Sequence, residues 1–434
     1  MDKPRLNIRV ALLTVALVPA IVVGCLIYRR SQGPLTAPAP MATWPWPHAA
    51  VTTPHPGVTV WTDRSSSNGD IVRLIRFDFD ANPNLRFAIY DQDSDDAHPR
   101  DDSVDFWPMG VAQATAHLNT RMADANDAHK TRNPIIGEGS PGDQGRQPNG
   151  QIVAACNGLF FGSDYRPING IVPPHGIAHH VTATVDNGVL RYNVGSHRWT
   201  FGVKYHQVPN VRRTIPTPAH DFSHGDTDPS ATFDVAHEPD RQTMSTFTYA
   251  AGGAQCLIHD GRPLRLRPFP GPVDVADPLG APSTADEAGH IPLVDHIKTS
   301  RVSFGWSRDS KQLYLLFVRQ RGNETGSVLA FRMRGIGFPS NSRARMLEQG
   351  GWDIADEQHF WRTLGVWGAI NDDGGDPAQL SLIDPAGKYQ VFPASWASPV
   401  EELDNVDLGR TSPQTTALPQ GGSLMYFYIY DTTP

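Results

Sequence analysis

The chain holds three cysteines in 434 residues and no long basic run beyond its N-terminus. It also lacks any GxSxG, HExxH, Walker or Rossmann signature, which leaves serine-hydrolase, zincin and nucleotide-dependent mechanisms without support. A formal net charge of −8 argues against non-specific nucleic-acid binding. There is no internal repeat of solenoid period. Beyond Cys25 only Cys156 and Cys256 remain. Such a pair could close a disulfide in an oxidising compartment, but each lies in an apolar run where two separate buried thiols fit equally well.

What is present is the composition of a folded body, 39% hydrophobic and 19% charged, with turn formers in plenty at 39 Gly and 38 Pro. Only one stretch is long and apolar. Lys3, Arg5 and Arg9 precede a run from Val10 to Tyr28 broken by Thr14, Pro19 and Gly24. Its length suits a single membrane span and exceeds a usual signal-peptide core. The expectation is a cytoplasmic tail over 1–9, an inner-membrane anchor or uncleaved signal over 10–28, and a periplasmic body. Val22-Val23-Gly24-Cys25 resembles a lipobox, so a lipoprotein linked at Cys25 is the alternative. Residues 29–57, with Pro34, Pro38, Pro40, Pro45 and Pro47, read as a Pro-rich linker.

Over 58–434 strand signals dominate. Val58–Trp61, Ile71–Phe79 and Leu85–Tyr90 open the body, and a helix is expected from Met109 to Met122. Asp186-Asn187-Gly188 predicts a hairpin, as do Asp260-Gly261 and the turn at Arg308–Lys311. Pro209–Arg241 is polar and reads as a long surface insertion. A helix over Ile354–Leu364 ends at Gly365, and strands follow at Val366–Ile370, Gln379–Ile383, Tyr389–Phe392 and Leu424–Tyr430. The expected class is α+β, a large mixed sheet with packed helices behind one N-terminal transmembrane helix.

Three separated segments carry chemistry. In the first, an apolar strand ends in Asn157-Gly158-Leu159-Phe160-Phe161. The Asn157 amide offers donors and an acceptor, and Gly158 permits a close turn. In the second, Arg301-Val302-Ser303-Phe304-Gly305-Trp306, alternation puts Arg301, Ser303 and Gly305 on one face. If that face lines a cleft, Arg301 is a fixed fork for phosphate oxygens. The third runs from a strand into Asn371-Asp372-Asp373-Gly374-Gly375-Asp376-Pro377, read as a Gly-rich turn loaded with carboxylates. Backbone N–H groups of Gly374 and Gly375 suit phosphate, and Asp373 could act as acid, base or nucleophile. The same oxygens could instead hold Ca²⁺ through Asp372 and Asp376. His175, His179 and His180 follow the first segment, and His220, Asp221, His224 and Asp226 lie in the polar insertion.

Taken together and in order, the three segments resemble the phosphodiester glycosidase family. Asn157–Phe161 is similar to its N-G-G-F-F element, Arg301–Gly305 to R-T-A-I-G, and Asn371–Gly375 to N-L-D-G-G. Pro167-Ile168-Asn169-Gly170 follows the first, and Gly252-Gly253 precedes the second. The likeness covers 151–383. It implies hydrolysis of a sugar-1-phosphodiester, with N-acetylglucosamine the best-known sugar and exopolysaccharide the setting of many bacterial members. It implies Asp373, Arg301 and Asn157 as catalytic. Gly158, Phe161, Gly170, Ser303, Asn371, Gly374 and Gly375 would line the substrate, a glycan or sugar phosphodiester. The chain departs from D-G-G-G-S in placing Asp376 and Pro377 last and Asp372 at an apolar position. Those changes remove a hydroxyl and add negative charge, so the alternative is an inactive polysaccharide-binding or assembly protein of the same fold.

Overall fold

A computed structural model describes residues 46, 48–65, 70–95, 103–104, 108–131, 150–159, 161–163, 178–180, 182–186, 188–191, 199–207, 227–266, 298–320, 350–374, 378–394, 401–409 and 422–432. The span expected at Val10–Tyr28, with Cys25, lies outside these residues. Among the described residues no helix is long and apolar enough to cross a membrane. Residues His48–Pro434 form one compact unit.

The strands, in chain order, begin with β1 (Ala50–His55), β2 (Val58–Asp63), β3 (Ile71–Asp78), β4 (Leu85–Asp91) and β5 (Ser103–Val104). Helix α1 (Val111–Thr131) follows, then β6 (Gln151–Asn157), β7 (Phe161–Ser163), β8 (Ala178–His180), β9 (Thr184–Asp186), β10 (Val189–Arg191), β11 (Trp199–Gln207) and β12 (Thr227–His237). The one-turn helix α2 (Arg241–Met244) leads to β13 (Tyr249–His259), β14 (Arg262–Pro263), β15 (Arg301–Trp306) and β16 (Gln312–Arg319). Helix α3 (Ile354–Leu364) precedes β17 (Gly368–Gly374), β18 (Leu380–Ile383), β19 (Tyr389–Phe392), β20 (Leu403–Val406) and β21 (Met425–Asp431).

These strands build a twelve-stranded sheet along β1-β2-β3-β16-β15-β17-β13-β11-β12, a six-stranded sheet β20-β19-β18-β6-β21-β4, and a small sheet β5-β8-β7. Every described pairing is antiparallel, for example Gln312↔Asp78 through Arg319↔Ile71 and Tyr426↔Asn157 through Asp431↔Gln151. The expected mixed sheet is therefore corrected to large antiparallel sheets with few helices. Turn chemistry explains the pairing: Asp260 and Gly261 both take positive φ, 52° and 73°, as a tight two-residue hairpin requires.

The two large sheets face each other across aromatic residues. Phe87 and Phe427 of the six-stranded sheet meet Phe201 and Phe304 of the twelve-stranded one, with Phe304 and Phe427 centroids 5.4 Å apart and Phe87 and Phe201 5.7 Å apart. Helix α1 covers the six-stranded sheet, bonding Thr115 Oγ1 to Ser381 Oγ at 2.6 Å and donating from Asn119 Nδ2 to the Tyr389 hydroxyl at 2.9 Å. Helix α3 covers the twelve-stranded sheet at β13 and β17. Central strands such as β15 are thus buried on both faces, which is why all six of its residues are enclosed.

Two expectations change here. Part of the expected surface insertion is β12, whose Ala231, Phe233 and Val235 alternate into the core; residues 208–226, with His220, Asp221, His224 and Asp226, lie outside the described residues. Likewise Ala50–His55, at the end of the expected linker, is β1 on the edge of the large sheet, paired with β2. Cys156 and Cys256 are free, buried thiols.

Candidate functional site

Strands β15 and β17 bring the second and third segments together as hydrogen-bonded neighbours. Ser303 faces Asn371, and Arg301 faces Gly374. One residue of β15, Val302, stands between those pairs against two of β17, Asp372 and Asp373, so β17 carries a bulge there. This corrects the expected turn: Asn371, Asp372 and Asp373 belong to a strand flanked on both sides by partners, β13 and β15. Asn371 is paired on both sides, with Gln255 and Ser303, and Asp372 and Asp373 fill the bulge between that pair and Arg301–Gly374. Pairing on either side of them thus overrides poor strand propensity. The side chain of Asp373, and all of Gly375, Asp376 and Pro377, lie outside the described residues.

The face expected to line a cleft lies under α3. Gly305 admits Trp361, whose ring carbon Cζ3 would stand 2.7 Å from a Cβ at that position. The Trp361 Nε1–H donates to Ser303 Oγ at 3.1 Å. Arg301 is fully buried and donates from Nε to the Trp352 carbonyl at 2.9 Å. That carbonyl also receives the Thr299 N–H, at 3.1 Å, tying the start of β15 to the segment entering α3. The helix begins with a reciprocal cap, Asp353 accepting from Asp356 N–H and Asp356 accepting from Asp353 N–H, and ends at Gly365 with φ 75°.

The buried face of this helix carries a residue the sequence pattern did not single out. Glu357 is wholly buried, with the Ser303 hydroxyl near enough to its carboxyl to favour the charged form slightly. Burial pushes its carboxyl up to about 8, the Arg301 cation opposes that rise, and Asp353 and Asp356 add to it. The carboxyl is therefore mostly protonated at neutral pH and sits in the field of a buried guanidinium. A signal was present: Ile354, Glu357, Trp361 and Leu364 recur on one helical face, and an acid on a core-facing stripe needs a reason to be there. Asn371 completes the group. It is fully buried, and its Nδ2 donates to Gln255 Oε1 at 2.9 Å, leaving Oδ1 without a partner among the described residues.

The first segment ends β6 in the six-stranded sheet. Asn157 is buried, and its Oδ1 accepts the Gln379 N–H at 2.9 Å. Gln379 lies just before β18 of the same six-stranded sheet. Gln379 thus ties the end of β6 to the start of β18, and its own Oε1 accepts the Val111 N–H at the start of α1. The Gly158 N–H donates to the Met425 carbonyl at 2.7 Å, and a Cβ on Gly158 would lie 2.9 Å from that of Met425. Close approach to β21 thus dictates glycine here. Phe161 is half-buried in β7 against the core, and Gly170 lies outside the described residues. Asp372 is buried near enough to Cys156 for its charge to reinforce the rise that burial imposes on the thiol. Because Asp376 is not described, the Ca²⁺ expectation at Asp372 and Asp376 is untouched by the geometry. Of the histidines after the first segment, His180 is buried in β8, His179 is half-buried beside it, and His175 is not described.

No family model matches the chain, and no curated protein matches it. Among solved structures, it is similar to the catalytic domain of zebrafish N-acetylglucosamine-1-phosphodiester alpha-N-acetylglucosaminidase, auto-inhibited by its pro-peptide, at 13% identity and TM-score 0.41 over 88% of this chain and 87% of that one. A hypothetical protein from Synechocystis gives 10% identity and TM-score 0.36 over 89% and 64%. A protein of Burkholderia pseudomallei K96243 described as exported gives 10% and 0.38 over 83% and 74%. Likenesses this slight decide neither fold nor activity for the chain.

Proposed function

We propose that the chain is a hydrolase that splits sugar-1-phosphodiesters between the anomeric carbon and the phosphate oxygen. The observation that carries this reading is the gathering of Arg301, Ser303, Asn371 and Glu357, from two strands and a helix, into one buried polar group. The sequence resemblance supplies the chemistry such a group would serve. In that reading the phosphate leaves as an anion, and Arg301 stabilises the charge developing on it in a low-dielectric setting. Glu357, holding its proton near neutrality, can deliver it to the departing oxygen. Asp373 acts at the anomeric carbon as base or nucleophile, and the separation of the two carboxyls sets whether configuration inverts or is retained. Asn157 holds the sugar or the phosphate, Gly158, Phe161 and Gly170 line the substrate, and Gly374 and Gly375 present backbone N–H groups to phosphate. Action on envelope glycans by a membrane-anchored periplasmic body is the setting proposed.

The test is release of free reducing sugar from a panel of sugar-1-phosphodiesters that includes an α-N-acetylglucosamine one. Release should fall by about 10²–10⁴-fold in Asp373→Asn and Arg301→Ala. Undiminished turnover in Asp373→Asn would remove that residue from the mechanism.

One observation favours a second reading. Arg301, Glu357 and Asn371 are all 0% exposed, as they would be in a fold that kept the polar group as a structural device and binds polysaccharide without cleaving it. Glycan binding by folded protein with no sugar released across the panel is its expected result.

A further inference from the structure

We infer that Asp91, Asp93 and His180 form a binding site for one divalent transition-metal ion, of the Mn²⁺ or Zn²⁺ class. The three come from separate elements. Asp91 ends β4, Asp93 lies in the single 3₁₀ turn Gln92–Asp95, and His180 ends β8 in the small sheet. They are 0%, 0% and 4% exposed. One potential ligand atom from each lies within 4.8 Å of the others, and His180 Nε2 stands 3.0 Å from Asp91 Oδ2. Ligands held about 2.1 Å from a metal stand about 3 Å apart when adjacent and about 4.2 Å apart when opposite, so these spans fit coordination with little movement. Two carboxylates with one imidazole suit Mn²⁺ or Zn²⁺ better than Ca²⁺ or Mg²⁺, which favour oxygen alone.

The backbone around the group is fixed in place. Between the two aspartates, Gln92 donates from Nε2 to the Leu424 carbonyl at 3.3 Å and accepts the Met109 N–H at 2.8 Å. The Asp93 N–H donates to Asp91 Oδ1 at 3.1 Å, closing the turn. Asp95, the next acid, belongs to a different group, receiving Tyr90 Oη at 2.6 Å, His117 Nε2 at 2.9 Å and Arg121 at 2.6 Å. The site borders the first segment. Asp91 faces Met425, which accepts the Gly158 N–H, and His180 faces Phe161. It shares no residue with the Arg301–Glu357 group, and it does not depend on the glycosidase reading.

The full chain, stripped with EDTA and dialysed, would be titrated with Mn²⁺ and with Zn²⁺ by calorimetry, and with Co²⁺ followed by visible absorption. One equivalent should bind, with Co²⁺ d–d bands showing an imidazole-containing ligand set, and unfolding should move to higher temperature as metal is added. Asp93→Asn and His180→Gln, each checked for folding by circular dichroism, should weaken binding at least ~10-fold and change the Co²⁺ spectrum. Stripped wild type that binds neither Mn²⁺ nor Zn²⁺ would overturn the site, leaving a His–Asp hydrogen-bonded pair. Unchanged affinity and spectrum in a folded His180→Gln would overturn it too. If only one variant folds, that variant and the wild-type stoichiometry still decide.

Discussion

Glu357 shows how much one residue's surroundings can change its chemistry. An ordinary glutamate carboxyl loses its proton above 4.5, yet inside the fold this one keeps it up to about 8. Between those values the folded chain binds a proton that the unfolded chain releases. Its contribution to stability is therefore fully present below pH 4.5 and is lost as pH rises to about 8. Each tenfold gain in proton affinity on folding is worth roughly 1.4 kcal/mol, so the loss amounts to a few kcal/mol. Glu357→Gln, which mimics the protonated form, should remove this loss. Denaturant titrations at about pH 5 and pH 9 should show the variant gaining on wild type by a few kcal/mol as pH rises. A difference that stays flat would mean the carboxyl does not titrate in that window. Alternation in the sequence places Arg301 on one strand face with Ser303 and Gly305. That it is buried and tied to the Trp352 carbonyl was not legible there, because alternation says which face a side chain takes and not what covers that face.

At the scale of elements, strong local signals gave the right structures. The Ile354–Leu364 helix has the expected bounds because its cap residues and its closing glycine are local devices. β12 was missed because Asp, His and Pro nearby outweighed a short apolar alternation. Phe233 on that strand is 3% exposed and packs among Phe79, Phe87 and Phe201, at centroid distances of 5.7, 5.7 and 6.3 Å. Phe233→Ala should cost about 3–5 kcal/mol by chemical denaturation, as core phenylalanines do. A cost below about 1 kcal/mol would place β12 outside the core. The start of the third segment departs from the expected turn for the converse reason. Its composition is that of a loop, but residues 371–374 continue β17 beside β15, and a bulge takes up the mismatch, while 375–377 lie outside the described residues.

At the scale of the whole fold, the larger of the hydrophobic clusters among the described residues runs between the two large sheets, from Val58 and Phe77 to Tyr426 and Ile429, with a smaller one of Val185, Met244, Phe247 and Ala250 beside it. Neither sheet can lose its partner and keep that face dry. Hydrogen exchange should therefore give the same opening free energy for β6 and β21 of one sheet as for β15 and β17 of the other. Clearly different values would mean that the sheets open as separate units.

The strand-rich character, most element positions and the hairpin turns could be read from the chain alone, because periodicity, capping and turn residues act over a few neighbours. Which segments meet is settled by packing at long range. The Ser303–Asn371 and Arg301–Gly374 pairs, the helix laid over them with Glu357 inside, and the joining of Asp91 and Asp93 to His180 all depend on contacts between residues far apart in the chain. Such contacts are set by how the sheets pack and by which face each covers. Local patterning carries no record of that choice.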